Sequence, residues 1–105
     1  AGSNDVGADN SIEFLSSPND FNIHYAYPNP FNASTSIKYS LEYVSTFDLS
    51  VYSVQGRKVF SKQYNNKAPG EYLETIALDD LPSGLYIIAI ESKNKFSSYK
   101  VLLIK

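Results

Sequence analysis

The sequence predicts an all-β protein, an immunoglobulin-like antiparallel β-sandwich of about seven strands. Three observations carry this expectation. From Phe21 onward, apolar residues recur at every second position in short runs, the period of a strand with one buried face. Turn-forming residues separate these runs at spacings of about ten residues, as in small sandwiches. No stretch after Phe21 keeps a helical repeat long enough to build a helix.

The elements follow in order. "AGSNDVGADNSIEFLSSPND" is small, polar and acidic and reads as linker over residues 1–20, with room for a short strand at Ile12–Leu15. Residues 21–105 then form the folded domain. Phe21, Ile23 and Tyr25 share one face of a first strand, and Asn22 and His24 the other. In "STSIKYSL", Ile37, Tyr39 and Leu41 oppose Lys38 and Ser40. In "TFDLSVYSV", Phe47, Leu49 and Val51 alternate with Asp48, Ser50 and Tyr52. Gln55-Gly56 reads as a two-residue turn. "RKVFSKQY" is patterned weakly, like an edge strand. "NNKAPGE" reads as a loop and "YLETIAL" as a fifth strand. Leu81-Pro82-Ser83-Gly84 fits a type I turn, with Pro second and Gly fourth. Leu85 to Ile90 is almost wholly apolar, so this strand is expected to be central and covered on both faces. The chain reverses around Lys93-Asn94-Lys95. In the last strand, Tyr99, Val101 and Leu103 oppose Lys100, Leu102 and Ile104. Tyr86, entering the penultimate strand after a Leu-Pro-Gly turn, resembles a tyrosine corner and favours the immunoglobulin-like topology.

The totals suit one ordinary domain: 105 residues, 43% hydrophobic and 19% charged. Nine tyrosines and six phenylalanines suit strands that pack one ring face. With no cysteine, thiol chemistry and disulfides are excluded. The net charge of −2 is uneven: residues 1–20 carry −4 and residues 21–105 carry +2. A nearly neutral folded part gives no sign of a nucleic-acid groove, and no apolar run is long enough for a membrane-spanning helix.

Candidate chemistry is sparse. His24 is the single histidine, with no activated serine beside it, and reads as a strand residue. One histidine without cysteine makes a poor zinc site. Asp79-Asp80 invites a calcium reading, but no spaced series of oxygen ligands follows. Glu71, Glu74, Asp79 and Asp80 are the carboxylates available for paired acid–base work, yet a small sandwich offers little room for a cleft. The glycines form no phosphate-cradling motif, and Asn32-Ala33-Ser34 is a formal glycosylation sequon. No catalytic residue, metal or cofactor is therefore expected. Tyr52, Tyr64 and Tyr72 lie off the core pattern. They fit a platform for a sugar or a partner, or simpler cross-strand pairing.

The most particular stretch is "YPNPFN". Its prolines fix their own φ and restrict the residues before them. Asn29 and Asn32 can bond nearby backbone, and Phe31 can drop into the end of the sandwich. The stretch reads as a staple between linker and first sheet.

Three stretches together resemble one family. "YPNPFN", "LPSGLYIIAI" and "YKVLLIK", in this order and near the end of the chain, are similar to the type A C-terminal sorting domain of the type IX secretion system of Bacteroidota. The resemblance implies an immunoglobulin-like domain that directs its cargo across the Gram-negative outer membrane. The family's motif residues fall on Tyr27, Pro28, Asn29, Pro30, Phe31 and Asn32; on Leu81, Pro82, Ser83, Gly84, Tyr86 and Ile90; and on Tyr99, Lys100, Val101, Leu103 and Lys105. The family pattern has Pro where this chain has Ala33, which is expected only to loosen the turn. The implied partners are translocon and shuttle proteins, a sortase-like protease that cuts in the linker, and an N-terminal cargo domain of the same chain. The implied route runs through the periplasm to the cell surface or beyond. Pairing of two copies through an open sheet edge is a further expectation. The competing reading is a carbohydrate-binding, adhesive or structural immunoglobulin-like module of a secreted enzyme.

Overall fold

The computed structural model describes residues 21–93 and 95–105. The expected linker, with its strand at Ile12–Leu15, lies outside these residues. Among the described residues seven strands follow one another: β1 (Phe21–Tyr27), β2 (Ser34–Leu41), β3 (Ser45–Ser53), β4 (Lys58–Lys67), β5 (Gly70–Ala77), β6 (Gly84–Ser92) and β7 (Lys95–Leu103). They form two antiparallel sheets, ordered β1-β2-β5 and β4-β3-β6-β7. Strands 1, 2 and 5 take the places of A, B and E of an immunoglobulin-like sandwich, and the others those of C, C′, F and G.

Strand alternation produces the core. Ile37, Tyr39 and Leu41 from β2 meet Phe47, Leu49 and Val51 from β3, Tyr86, Ile88 and Ile90 from β6, and Val101 and Leu103 from β7, all buried. In β2, β3 and β7 these are the inward positions read from the sequence; for β6 the nearly all-apolar run set no phase. Side chains on two facing sheets interdigitate in this way because successive residues point to opposite faces.

Five local expectations are corrected. A β-bulge between Ile23 and Tyr25 shifts the alternation of β1, so Ala26 is buried and Tyr25 is exposed. An extra residue in one strand turns the following side chains to the other face. The β3–β4 turn centres on Val54-Gln55: the Gly56 N–H donates to Ser53 O at 2.9 Å. Gly56, at φ 87°, is the left-handed residue that follows such a turn in three-residue hairpin loops. Asn65, Asn66 and Lys67 belong to β4, which leaves only Ala68 and Pro69 between β4 and β5. The hydrogen-bonded turn before β6 spans Leu78 to Leu81, with Leu81 N–H on Leu78 O at 3.2 Å. Leu81–Gly84 is the bend that follows it. Finally, β6 is central but covered outside only in part: Ala89 is fully buried and Leu85 is exposed.

The two long sides of the sandwich close differently. On one, β1 packs alongside β7, and Ile23 N–H donates to Ser97 Oγ at 3.1 Å. On the other, β4 and β5 are bridged by side chains. Tyr39 stacks on Tyr72 with ring centroids 5.5 Å apart and meets Phe47 edge-on at 6.0 Å. Phe47 lies 5.1 Å from Tyr64. Offset and edge-on arrangements like these are the favoured ring geometries.

Candidate recognition pole

The three motifs meet at one end of the sandwich. β1 delivers the chain there at Tyr27, the chain enters β6 there at Gly84, and β7 ends there at Leu103. The opening stretch turns through cis Tyr27–Pro28 and Asn29–Pro30 bonds and lies along the outer edge of β7. Asn29 mimics a strand: its Nδ2 donates to Lys100 O at 3.1 Å, and its Oδ1 accepts from Leu102 N–H at 2.9 Å. Phe31 continues the pairing with its own backbone. Its N–H donates to Leu102 O and its carbonyl accepts from Ile104 N–H, each at 2.9 Å, forming a parallel bridge to Leu103. The outward-facing backbone groups from Lys100 O to Ile104 N–H are thereby occupied. An exposed edge strand otherwise presents such groups to any extended chain.

The Phe31 ring drops inward and is 2% exposed, so the expected plug is present. Thr35, buried at the start of β2, donates its hydroxyl to Pro28 O at 2.7 Å and fixes the loop from beneath. Leu78 N–H donates to Ala33 O at 2.7 Å, tying the opening stretch to the segment before β6. Ala33 itself has φ 78°. Proline cannot adopt that value, so the Pro that the resemblance implies at this position does not fit this backbone. Ala33 therefore does more than loosen the turn.

The second motif is held by the tyrosine corner. Tyr86 is buried, and its hydroxyl donates to Pro82 O at 2.7 Å, which pins the bend under the ring. Ser83 Oγ accepts from Lys105 N–H at 2.9 Å, and the Lys105 ammonium donates to Asp79 O. The second motif is thus joined to the third, as the third is to the first.

The motif residues divide into a scaffold and a rim. Phe31, Tyr86, Val101 and Leu103 are buried, and Leu81 and Tyr99 are half-buried against the same core. Tyr27, Pro28, Asn29, Pro30, Asn32, Pro82, Ser83, Lys100 and Lys105 are exposed. Gly84 opens β6. Ile90 stands apart: it is core, paired with Ser97, in the half of β6 away from this pole. Thr35 also belongs to the site and was not singled out from the sequence. Thr35 left a signal, a hydroxyl on the inward face of "STSIKYSL".

The tyrosines that suggested a ligand platform are engaged internally. Tyr64 OH donates to Glu74 Oε2, Tyr72 OH to Ala68 O at 2.6 Å and Tyr52 OH to Glu91 Oε2 at 2.7 Å. Glu74 also accepts from Tyr39 OH at 3.2 Å and lies 3.6 Å from Lys62 Nζ. Burial, and then the Glu74 charge, raises the Tyr39 phenol well above its ordinary range. Burial and the hydrogen bond to Glu74 also raise Tyr64. Lys67 Nζ sits over both Tyr64 and Tyr72, 4.0 and 4.3 Å from the ring centroids. Glu74 thus accepts hydrogen bonds within a structural knot, and His24 bonds Ser40 Oγ at 2.9 Å. No group of three or more metal-ligating side chains occurs among the described residues.

The fold is an immunoglobulin-like sandwich whose most particular residues gather at one exposed pole. The chain matches the family model of the secretion system C-terminal sorting domain over residues 25–105, and it belongs to that family. It is a sorting signal for type IX secretion: it acts with that machinery and directs export to the cell surface or the extracellular space. Sorting domains of this family are non-catalytic. No curated protein matches the chain significantly.

Proposed function

We propose that the pole where the three motifs meet is the surface by which the secretion machinery recognises this domain. One observation carries the reading. Asn29 and Phe31 bond Lys100, Leu102 and Ile104, and Lys105 bonds Ser83, so three stretches far apart in sequence form one continuous surface. Their exposed members, Tyr27, Pro28, Asn29, Pro30, Asn32, Pro82, Ser83, Lys100 and Lys105, are the contacts. Their buried members, with Leu81, Gly84 and Tyr99, hold those contacts in place.

In this reading residues 1–20 are the linker and residues 21–105 the signal. Cargo lies N-terminal to the linker and passes through the periplasm. Shuttle and translocon proteins bind the pole, and a sortase-like protease cuts in the acidic linker after export. The domain itself performs no chemistry.

The test fuses residues 1–105 to a periplasmic reporter in a host that runs type IX secretion. The expected result is reporter at the surface or in the medium, shortened by a domain-sized piece. A reporter exported equally well after Tyr27→Ser, Asn29→Ala and Lys100→Ala are combined would remove the pole from the mechanism.

A further inference from the structure

We infer that the machinery reads the pole through an aliphatic strip on the outer face of the β6–β7 hairpin, and that its receptor is a protein surface that is apolar and acidic. This deepens the recognition reading above and rests on it.

Backbone recognition is closed at this place. Recruiting β7 by strand addition needs free N–H and C=O groups along its edge. From Lys100 to Ile104 those groups are occupied by Asn29 and Phe31. What remains for a receptor is the side chains that β7 and β6 turn outward.

Those side chains are aliphatic. Leu85 and Leu102 face each other as cross-strand partners and are 39% and 37% exposed, and Ile104 beyond them is 51% exposed. Ile87 adjoins them and is half-buried. The rest of the same outer face is treated differently. Tyr52 reaches along the sheet to Glu91, and in the rows between them Ser50 and Ala89 are fully buried. Toward the far pole Phe96 stands exposed on the same face, paired with Glu91; the outer face there is aromatic and carboxylate-bearing, and beside the motifs it is aliphatic.

Charge states the partner's chemistry. The row bordering the strip runs Lys58, Tyr52, Ile87 and Lys100 in register across four strands. A lysine stands at each end of it, and both are exposed. An apolar strip beside a cationic row complements an aliphatic surface with acidic side chains, and like-charge surfaces are rejected.

The test uses residues 1–105 on the reporter, with each variant's circular dichroism and melting curve measured on the purified chain. Leu85→Glu with Leu102→Glu is expected to lower export about tenfold or more, the loss seen when central apolar contacts are removed, with melting little changed. Leu85→Lys with Leu102→Lys loses the same apolar contacts but not the charge match, and is expected to export between that variant and wild type. Lys58→Glu changes an exposed residue outside the pole contacts named above, so it reports even if the leucine variants fail to fold. Its expected result is a several-fold loss, and wild-type export would overturn the acidic partner. If both leucine pairs fold and export normally while the Tyr27, Asn29 and Lys100 combination does not, the strip is overturned and the pole stands. If all variants export normally, both readings fall. Phosphatidylglycerol vesicles are the remaining arm. Sedimentation of the wild-type chain with them, lost in Leu85→Glu with Leu102→Glu, would assign the strip to lipid and overturn a protein receptor.

Discussion

The two long sides of the sandwich are both seams between sheets, closed by different chemistry. At the β1–β7 side, backbone and backbone-like groups do the joining: Ile23 to Ser97, then Asn29 and Phe31 to the edge of β7. At the β4–β5 side, a knot of rings and charges does it, with Tyr39, Tyr64 and Lys62 gathered on Glu74 and Lys67 over Tyr64 and Tyr72. The first depends on which residues stand at a few positions, because Asn29 must imitate a peptide unit. The second depends on side-chain size and charge, and stabilises without displaying anything. The first and third motifs meet on the first side, and none of the motif residues belongs to the second.

Substitutions at five positions would break or sharpen this contrast. Phe31→Ala empties the plug of the β1–β7 side and is expected to cost about 3–4 kcal/mol, read as a lower midpoint in urea or thermal unfolding. An unchanged midpoint would show that the ring carries no packing. Ala33→Pro is expected to cost about 3 kcal/mol, because proline fixes φ near −65° where Ala33 has 78°. Ala33→Gly should instead stabilise by up to about 1 kcal/mol, since glycine adopts positive φ readily but is more flexible when unfolded. If Ala33→Pro melts like wild type, that backbone conformation is not required.

On the β4–β5 side, Glu74→Ala strips partners from the buried Tyr39 hydroxyl and from Tyr64, and is expected to cost about 2–3 kcal/mol. Adding Tyr39→Phe should recover part of it, and strict additivity in that double-mutant cycle would deny the coupling. The same knot predicts an alkaline limb. Tyr39 and Tyr64 hold their protons more tightly folded than unfolded. Their contribution is complete below the ordinary tyrosine range near pH 10 and is lost above it, as the unfolded chain ionises first. Each tyrosine then contributes a slope of up to about 1.4 kcal/mol per pH unit. Tyr39→Phe should flatten the fall in stability between pH 10 and 12, and an unaltered slope would contradict its assignment. The smallest effect is expected from Asn29→Ala, about 1 kcal/mol for exposed hydrogen bonds. Its signature is local: the Leu102 amide should exchange faster with solvent, while the buried amides of β6 stay protected.

Much of the fold was legible because strand alternation is a local pattern. "STSIKYSL" and "TFDLSVYSV" declared their buried faces, and the Pro82–Tyr86 spacing gave the corner. The errors fell where one residue changes the phase or the register. His24 sits in a bulge that no neighbouring residue announces, and Gly56 was read as the second turn residue when it follows the turn. "NNK" looked like loop by composition, but pairing with β3 carries Lys67 opposite Ser45. The site was legible as three stretches and illegible as one surface. The contacts that fuse them join Asn29 to Lys100 and Leu102, and nothing local in "YPNPFN" specifies that reach. Glu74 was weighed as an acid for catalysis, because the two tyrosines it binds, Tyr39 and Tyr64, come from two other strands.

The Asn29 contact has a temporal consequence. Its two halves are made at opposite ends of the domain's synthesis, and the surface between them exists only once both are present and the chain between is correctly folded. A misfolded domain carries the same motifs without forming this surface, and a chain without its last residues lacks the Lys100 and Leu102 half of the contact. Any export step that reads this pole therefore also inspects the product, and it admits cargo only behind a finished domain.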